Sequence, residues 1–397
     1  MDYLYSCVFG LACFFVCLEI VCLYLFHFMA IIYIKLTLHK RPVYGLNGTL
    51  PGVSILKPLV GIEENLEGNL ETFFTLDYPK FELLFGVHTP KDPARKVVES
   101  LMKRYPHVDA KLFVGGMSDW GKIRNPKVNN MMPGYMVSRY DLILISDSGI
   151  KMHYPNTLTQ MVHEMKPDVG FVHGLPFCCN REGFGGTLDK AYFGGSHARL
   201  YLSMNMLGIT CVTGMFNLVR RSVISAAGGF EELAKYISED CYMGRATVKS
   251  GFKIKLSTLP AMQNPGDWDT RAFDKRMVRW TTVRRSTIPS TIILEPISEM
   301  LVCGLCCAWA VHYLFDWNPL LFIVLHILQW FLLDCIQLYM LQTEPFSVSK
   351  LEFVLAWIYR EFTTPYFFLK GCLEDKVTWR TGKFQVTWGG FIEKVYR

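Results

Sequence analysis

The chain has 397 residues, 51% of them hydrophobic, and 41 Lys and Arg against 35 Asp and Glu give a formal net charge of +6. That length holds one well-cored domain of roughly 200 to 250 residues plus membrane elements, and the apolar excess, high for a soluble protein, is concentrated at the two ends. The modest positive balance suits anionic lipid heads or a nucleotide diphosphate. With no arginine-rich or aromatic-stacking tract beside it, it speaks against nucleic acid.

From Tyr3 to Ile34 the chain is almost continuously apolar, interrupted mainly by Glu19 and His27, which exceeds the roughly 20 residues a bilayer crossing needs. Only Asp2 precedes the run, whereas Lys35, His39, Lys40 and Arg41 follow it. This charge order predicts an uncleaved anchor over residues 1–40 whose C-terminal end lies in the cytosol.

Residues 41–290 alternate short apolar runs with amphipathic stretches. Gly52–Gly61, Glu82–His88, Ala110–Gly116 and Asp141–Gly149 read as buried strands, and Asp92–Pro106 has helical spacing. The alternation predicts an α/β domain with a mostly parallel sheet, its ligand crevice beyond the C-terminal strand ends.

Two further apolar segments, Ile292–Phe315 and Pro319–Met340, flank Asp316–Asn318, a link without a basic residue. They predict a transmembrane hairpin within 291–345 that turns on the non-cytosolic side. Leu351–Leu373 is interrupted by Arg360, Glu361 and Pro365, and crossing with it would carry Lys376, Arg380 and Lys383 outward. Residues 346–397 are therefore read as an interfacial or re-entrant segment with a cytosolic tail. Eight of the 13 cysteines fall within the membrane segments, where a disulfide framework is not expected; Cys303, Cys306 and Cys307 read as small packing residues.

Three carboxylates stand where a crevice would form: Asp92 after the second strand, Asp147 in "SDSG" closing the fourth, and Asp240 in "YISED". Taken singly, an Asp after a strand is most often a helix cap or turn residue, and Asp92 before Pro93 is equally that; Asp147 is more specific, since "SDSG" directly after the apolar run "LILI" leaves an acid where a metal-bound diphosphate could dock. In the order Asp92, Asp147, Asp240 and then "RMVRW" (Arg276–Trp280), the set resembles the three acids and (Q/R)xxRW of inverting glycosyltransferases with the GT-A, Rossmann-like fold. The stretches 27–33, 50–59, 69–80, 132–149, 172–177 and 296–299 resemble one family among them, the ceramide glucosyltransferases, and the likeness extends from the first membrane segment to about Arg380.

That resemblance implies UDP-glucose as donor, the primary hydroxyl of ceramide as acceptor, and inversion at the anomeric carbon. It makes Asp240 the general base, ahead of Glu239, whose alternative role is a solvated acid at a helix start. It gives Asp147 a divalent cation, Mg²⁺ or Mn²⁺, bridging the donor phosphates, with Asp92 near the uridine or the same ion. The single acid of "SDSG", where many relatives carry DxD, weakens the expectation of strict metal dependence. Lys127 is matched to a lysine that approaches the diphosphate, and His197 to a histidine of nucleotide binding; a surface lysine and an interior histidine are the alternatives. Cys211, with Thr213–Arg221 and Ala226–Phe230, is matched to the nucleotide side and the acceptor floor, against small buried and turn residues. Arg276, Arg279 and Trp280 join the catalytic set.

The family further implies a multi-pass Golgi membrane protein whose catalytic domain faces the cytosol among membrane lipids, with a homo-oligomer left open. A dolichyl-phosphate sugar synthase, a processive polysaccharide synthase and a non-enzymatic membrane scaffold are the competing classes. The arginine that opens RxxRW and the few spans speak against the polysaccharide synthase.

Overall fold

The computed structural model describes residues 2–38, 50–116, 125–179, 183–209, 211–264, 266, 269–342 and 348–394. His39, Lys40 and Arg41 of the expected boundary cluster lie outside them, as does Asn47-Gly48-Thr49, an N-glycosylation sequon. A long helix, α1 (Asp2–Thr37), opens the chain. There follow β1 (Val53–Leu59), α2 (Leu66–Phe74), β2 (Phe81–Val87), α3 (Ala94–Arg104), β3 (Ala110–Val114), α4 (Pro126–Val137) and β4 (Leu142–Ser146). Next come β5 (Ile150–Lys151), α5 (Thr157–Glu164), β6 (Val169–His173), β7 (Pro176–Cys178) and α6 (Gly183–Tyr192), then a π-turn, Phe193–His197, that leads into α7 (Ala198–Met206). After it stand β8 (Phe216–Arg220), α8 (Arg221–Ala226), α9 (Gly229–Leu233), α10 (Glu239–Lys249), β9 (Lys253–Leu256) and β10 (Ala261–Gln263). The last third holds α11 (Thr270–Thr287), α12 (Thr291–Ser298), α13 (Met300–Phe315), α14 (Pro319–Leu341) and α15 (Lys350–Leu373), then β11 (Lys376–Trp379), β12 (Gly382–Val386) and β13 (Ile392–Lys394).

These elements form two compact units that interleave along the sequence. Residues 38–181, 208–268 and 375–397 make one, and residues 1–37, 182–207 and 269–374 the other.

The first unit is built on a seven-stranded sheet of order β3-β2-β1-β4-β8-β6-β9, in which β1 to β4 pair in parallel and β8 runs antiparallel to both neighbours. The strand signals read from the sequence fall on these parallel strands. Every residue of β1 and β4 is buried because helices cover both faces, which is why the strands read as continuous apolar runs. Alternation along β1 and β4 divides the core: Val53, Ile55 and Leu144 pack with Leu70, Phe73 and Val98 on one face. Leu56, Ile143 and Ile145 pack with Val128, Met132 and Met243 on the other. Two small three-stranded sheets, β5-β10-β7 and β11-β12-β13, complete the unit.

The second unit is helical. Tyr5–Thr37 within α1, and α14, are each long and apolar enough to cross a membrane. The segment read as one span over 292–315 is instead broken: α12 and α13 meet at 71°, and the pair counts as a third crossing only if taken together. Glu299 at the junction has extended backbone angles, and Pro296, three residues earlier, lacks an amide hydrogen for the helical ladder. Cys303 and Cys307 pack with Ile20, Leu23 and Trp330 in the interhelical core, as small residues do. α15 runs unbroken through Pro365, and the charges that interrupt its apolar pattern are buried, Arg360 Nη1 lying 2.7 Å from Glu361 Oε1.

Candidate active site

Within the sheet unit the expected acids stand at or beyond the C-terminal ends of the parallel strands. Asp147 follows β4, and its amide donates to the Met215 carbonyl at 3.0 Å. Beneath it lies a residue that the sequence reading passed over, Lys57, fully buried on β1. Its ammonium sits 4.0 Å from the centre of the Phe73 ring and donates to the Asp147 carbonyl at 2.7 Å, Ser146 Oγ at 3.1 Å and the Ile150 carbonyl at 3.3 Å. Burial pulls this lysine down to about 7, against the pull of Asp147 and Glu63. Only a lysine in the middle of an otherwise apolar strand run hinted at it.

Lys127, at the start of α4, uses its three ammonium hydrogens inside the protein: Asp147 Oδ1 at 2.9 Å, Glu239 Oε1 at 2.8 Å and the Gly214 carbonyl at 2.7 Å. It is therefore a clamp between two acids and not a solvated surface lysine. Burial opposes its charge, and the carboxylates of Asp147 and Glu239 outweigh burial and hold the ammonium charged well beyond its ordinary range. Asn125 sets the clamp. Its side-chain oxygen caps α4 by accepting from the Lys127 amide at 2.9 Å, while its Nδ2 donates to the Tyr236 carbonyl at 2.9 Å and Glu239 Oε2 at 3.1 Å. The "NP" pair, an asparagine cap before a proline at the first helical position, was the sequence signal for it.

Two adjacent acids open α10 and differ in their surroundings. Glu239 is 4% exposed and held by Lys127 and Asn125, so it is not the solvated helix-start acid of the alternative reading. Asp240 forms no ion pair among the described residues. Burial, then the charge of Glu239, pushes its carboxyl up to about 7, with Lys127 acting in the opposite direction. A side chain at Gly214 would place its Cβ 3.0 Å from Asp240 Oδ2, so the glycine lets backbone approach the acid closely. Burial also raises Asp147, less the effect of Lys127.

Asp92 has the geometry of the capping alternative. Its carboxylate accepts from the Gly61 amide at 3.0 and 3.1 Å and from the Ala94 amide at 3.0 Å, joining the loop after β1 to the start of α3. Cys211 is half-buried. Gly228 and Gly229, with φ of 89° and 76°, make the turn between α8 and α9.

Among the described residues no group of three or more His, Cys, Asp or Glu side chains is gathered to hold a metal. Asp147, 39% exposed, offers one carboxylate, with Lys127 on one of its oxygens. That donor set fits Mg²⁺ or Mn²⁺ held mainly by phosphate oxygens and water, and does not make an all-protein cage.

The remaining expected residues belong to the helical unit. On α11, Arg276 is 7% exposed and its Nη1 lies 2.9 Å from both carboxylate oxygens of Asp189 on α6. Arg279 is half-buried, and no hydrogen bond or ion pair engages its guanidinium among the described residues. Burial, then the neighbouring Arg276, pulls it down to about 10. Trp280 packs among aromatic rings, 5.6 Å from those of both Tyr192 and Phe193 and 6.3 Å from His197, which stacks on Tyr201 at 4.3 Å. Phe193 and His197 bound the π-turn, whose backbone departs from helical angles at Gly195; Gln337 Nε2 pins it by donating to the Gly194 and Gly195 carbonyls at 2.6 and 2.8 Å. Asp189 and Gln337 carried no local motif that marked them.

Residues 22–392 match the model of glycosyl transferase family 21. A Caenorhabditis elegans protein named ceramide glucosyltransferase 3 is 39% identical over 94% of this chain and 80% of its own length. A second from that organism, ceramide glucosyltransferase 1, is 38% identical over 95% and 80%. A ceramide glucosyltransferase of Komagataella phaffii is 27% identical over 87% and 84%. Among solved structures, a mannosyltransferase of Pyrobaculum calidifontis in complex with GDP-Man and Mn²⁺ superposes with a TM-score of 0.52 at 12% identity, covering 88% of this chain and 98% of its own. This likeness bears on the fold, which is of the GT-A kind.

Proposed function

The chain belongs to glycosyl transferase family 21, and on that premise we propose that it transfers glucose from UDP-glucose to the primary hydroxyl of ceramide with inversion, giving β-glucosylceramide. The observation that carries this reading is 39% identity across 94% of the chain to a protein named ceramide glucosyltransferase. The ceramide oxygen attacks the anomeric carbon, its proton passes to the Asp240 carboxylate, and the bond to UDP breaks with its electron pair on the β-phosphate oxygen. A base whose carboxyl sits near 7 is suited to take that proton at neutral pH.

Lys127 and Asn125 orient the acids about the site by fixing Glu239 and Asp147. Lys57 holds the turn that carries Asp147. Asp147 would hold Mg²⁺ or Mn²⁺, which supplies Lewis-acid stabilisation of the departing diphosphate. Asp92 shapes the donor side through Gly61. Of the two arginines of RxxRW, Arg279 is assigned to leaving-group charge, because Arg276 is committed to Asp189. By the family resemblance, Trp280 is assigned to the acceptor side and His197 to nucleotide binding. We place the enzyme in the Golgi membrane with the sheet unit in the cytosol, where UDP-glucose is available.

The test is the purified protein in lipid, supplied with UDP-glucose, UDP-galactose or GDP-mannose and with either ceramide or dolichyl phosphate. Ceramide hexoside formed from UDP-glucose alone is the expected product. Glycosylated dolichyl phosphate, or no transfer, overturns the reading.

A further inference from the structure

The C-terminal sheet of β11, β12 and β13 touches the loop after β1, whose Gly61 amide binds Asp92, and the segment that leads into α10, which opens with Glu239 and Asp240. On one side Arg380, in the two-residue turn between β11 and β12, donates from Nη1 to the Val60 carbonyl at 2.8 Å and pairs through Nη2 with Glu63 Oε1 at 3.0 Å. Val60 precedes Gly61, whose amide binds Asp92. Glu63 Oε2 in turn faces Ser148 Oγ at 3.5 Å, the long limit of a hydrogen bond, beside Asp147. A single guanidinium is thus tied to the loop after β1 and, through Glu63, to the turn after β4.

On the other side the tail holds the loop that leads into α10. The Ile237 amide donates to the Gly390 carbonyl at 2.8 Å, and the Ile392 amide to the Lys235 carbonyl at 3.0 Å. The Tyr242 hydroxyl donates to the Gly389 carbonyl. The rings of Tyr236 and Tyr242 stack at 3.6 Å, and Phe391 lies 4.8 Å from Tyr236. Glu239 and Asp240 sit within the segment so held.

We infer that β11–β13 act as a strap across the donor side of the site, with Arg380 a positioning residue for Asp92 and Asp147 through the loop after β1, and Tyr242 one for the first turn of α10, which carries Asp240. The inference rests on the reading of the site as a UDP-glucose site. Arg380 is 48% exposed, and an exposed ion pair adds about 0 to 1 kcal/mol. Its loss therefore leaves the fold standing while freeing the loops.

Arg380→Ala, Arg380→Lys and Tyr242→Phe of the full chain in lipid test the strap, with UDP affinity, kcat, KM and Tm measured for each. Arg380→Ala is expected to weaken UDP and raise the KM for UDP-glucose about fivefold or more while kcat and Tm hold, because loosened loops misplace the donor. Arg380→Lys, which keeps the charge, is expected to recover part of that loss. Tyr242→Phe is expected to lower kcat and to move the acid limb of the kcat/KM profile to lower pH, since a looser first turn of α10 admits water to Asp240. Wild-type values in both Arg380→Ala and Tyr242→Phe overturn the inference. So does a loss of kcat and KM in proportion to a fallen Tm, which marks a purely structural tail. If the wild type transfers no glucose, the functional reading fails, and UDP affinity of Arg380→Ala still decides the strap.

Discussion

Glu239 and Asp240 are neighbours in the chain, and the side chains around them assign them different work. Glu239 is paired with Lys127 and accepts a hydrogen bond from Asn125, whereas Asp240 is pushed up by burial and by the charge of Glu239 itself. Asp240 acts as a base only when ionised, so activity is lost as pH falls through its folded value. kcat/KM is therefore expected to rise with pH to a plateau above about 7, and Glu239→Gln, by removing the like charge, to move that limb to lower pH. Asp240→Asn is expected to cut transfer by about 10² or more with UDP affinity intact. A limb that stays in place in Asp240→Asn would assign the titration to another group. The sequence ranked Asp240 above Glu239 by its match to the family's third acid. It could not show the burial and pairing of Glu239, because Lys127 and Asn125 lie more than a hundred positions away. The same holds for RxxRW: the motif is visible in the chain, but the partner that occupies Arg276 is Asp189 on another helix.

At the scale of elements, β1, β2, β3 and β4 were legible because each is a short apolar run with its own turn signals, a property of local sequence. How closely helices lie on them was not. An added Cβ at Gly86 of β2 would fall 1.8 Å from the Asn130 carbonyl oxygen on α4. The obstacle is backbone, which cannot swing aside as a side chain would. Gly86→Ala is thus expected to cost about 3 kcal/mol or more, seen as a fall of several degrees in Tm of the detergent-purified protein. An unchanged Tm would mean that α4 shifts freely. The break between α12 and α13 was equally hidden, since hydropathy averages over Pro296 and Glu299 and registers only an apolar stretch.

For the molecule as a whole, apolar runs and the distribution of lysine and arginine predict a cytosolic sheet unit. The sequon at Asn47, outside the described residues, then stays unmodified when the protein is made in cells that glycosylate secretory proteins. A glycan on Asn47, removed by an endoglycosidase, would reverse that topology.

The sequence by itself determined the family, the parallel α/β core and the apolar segments, since strand runs, membrane hydropathy and the ordered motif are each written in contiguous residues. Only the tertiary structure decided which acids are committed to protein partners, that Lys57 lies beneath Asp147, and that residues 183–207 and 269–287 group with the apolar helices while residues 375–394 group with the sheet. The physical reason is the same throughout. Burial, ion pairing and compactness depend on groups brought together from distant positions, and no local pattern encodes a neighbour that the chain meets only on folding.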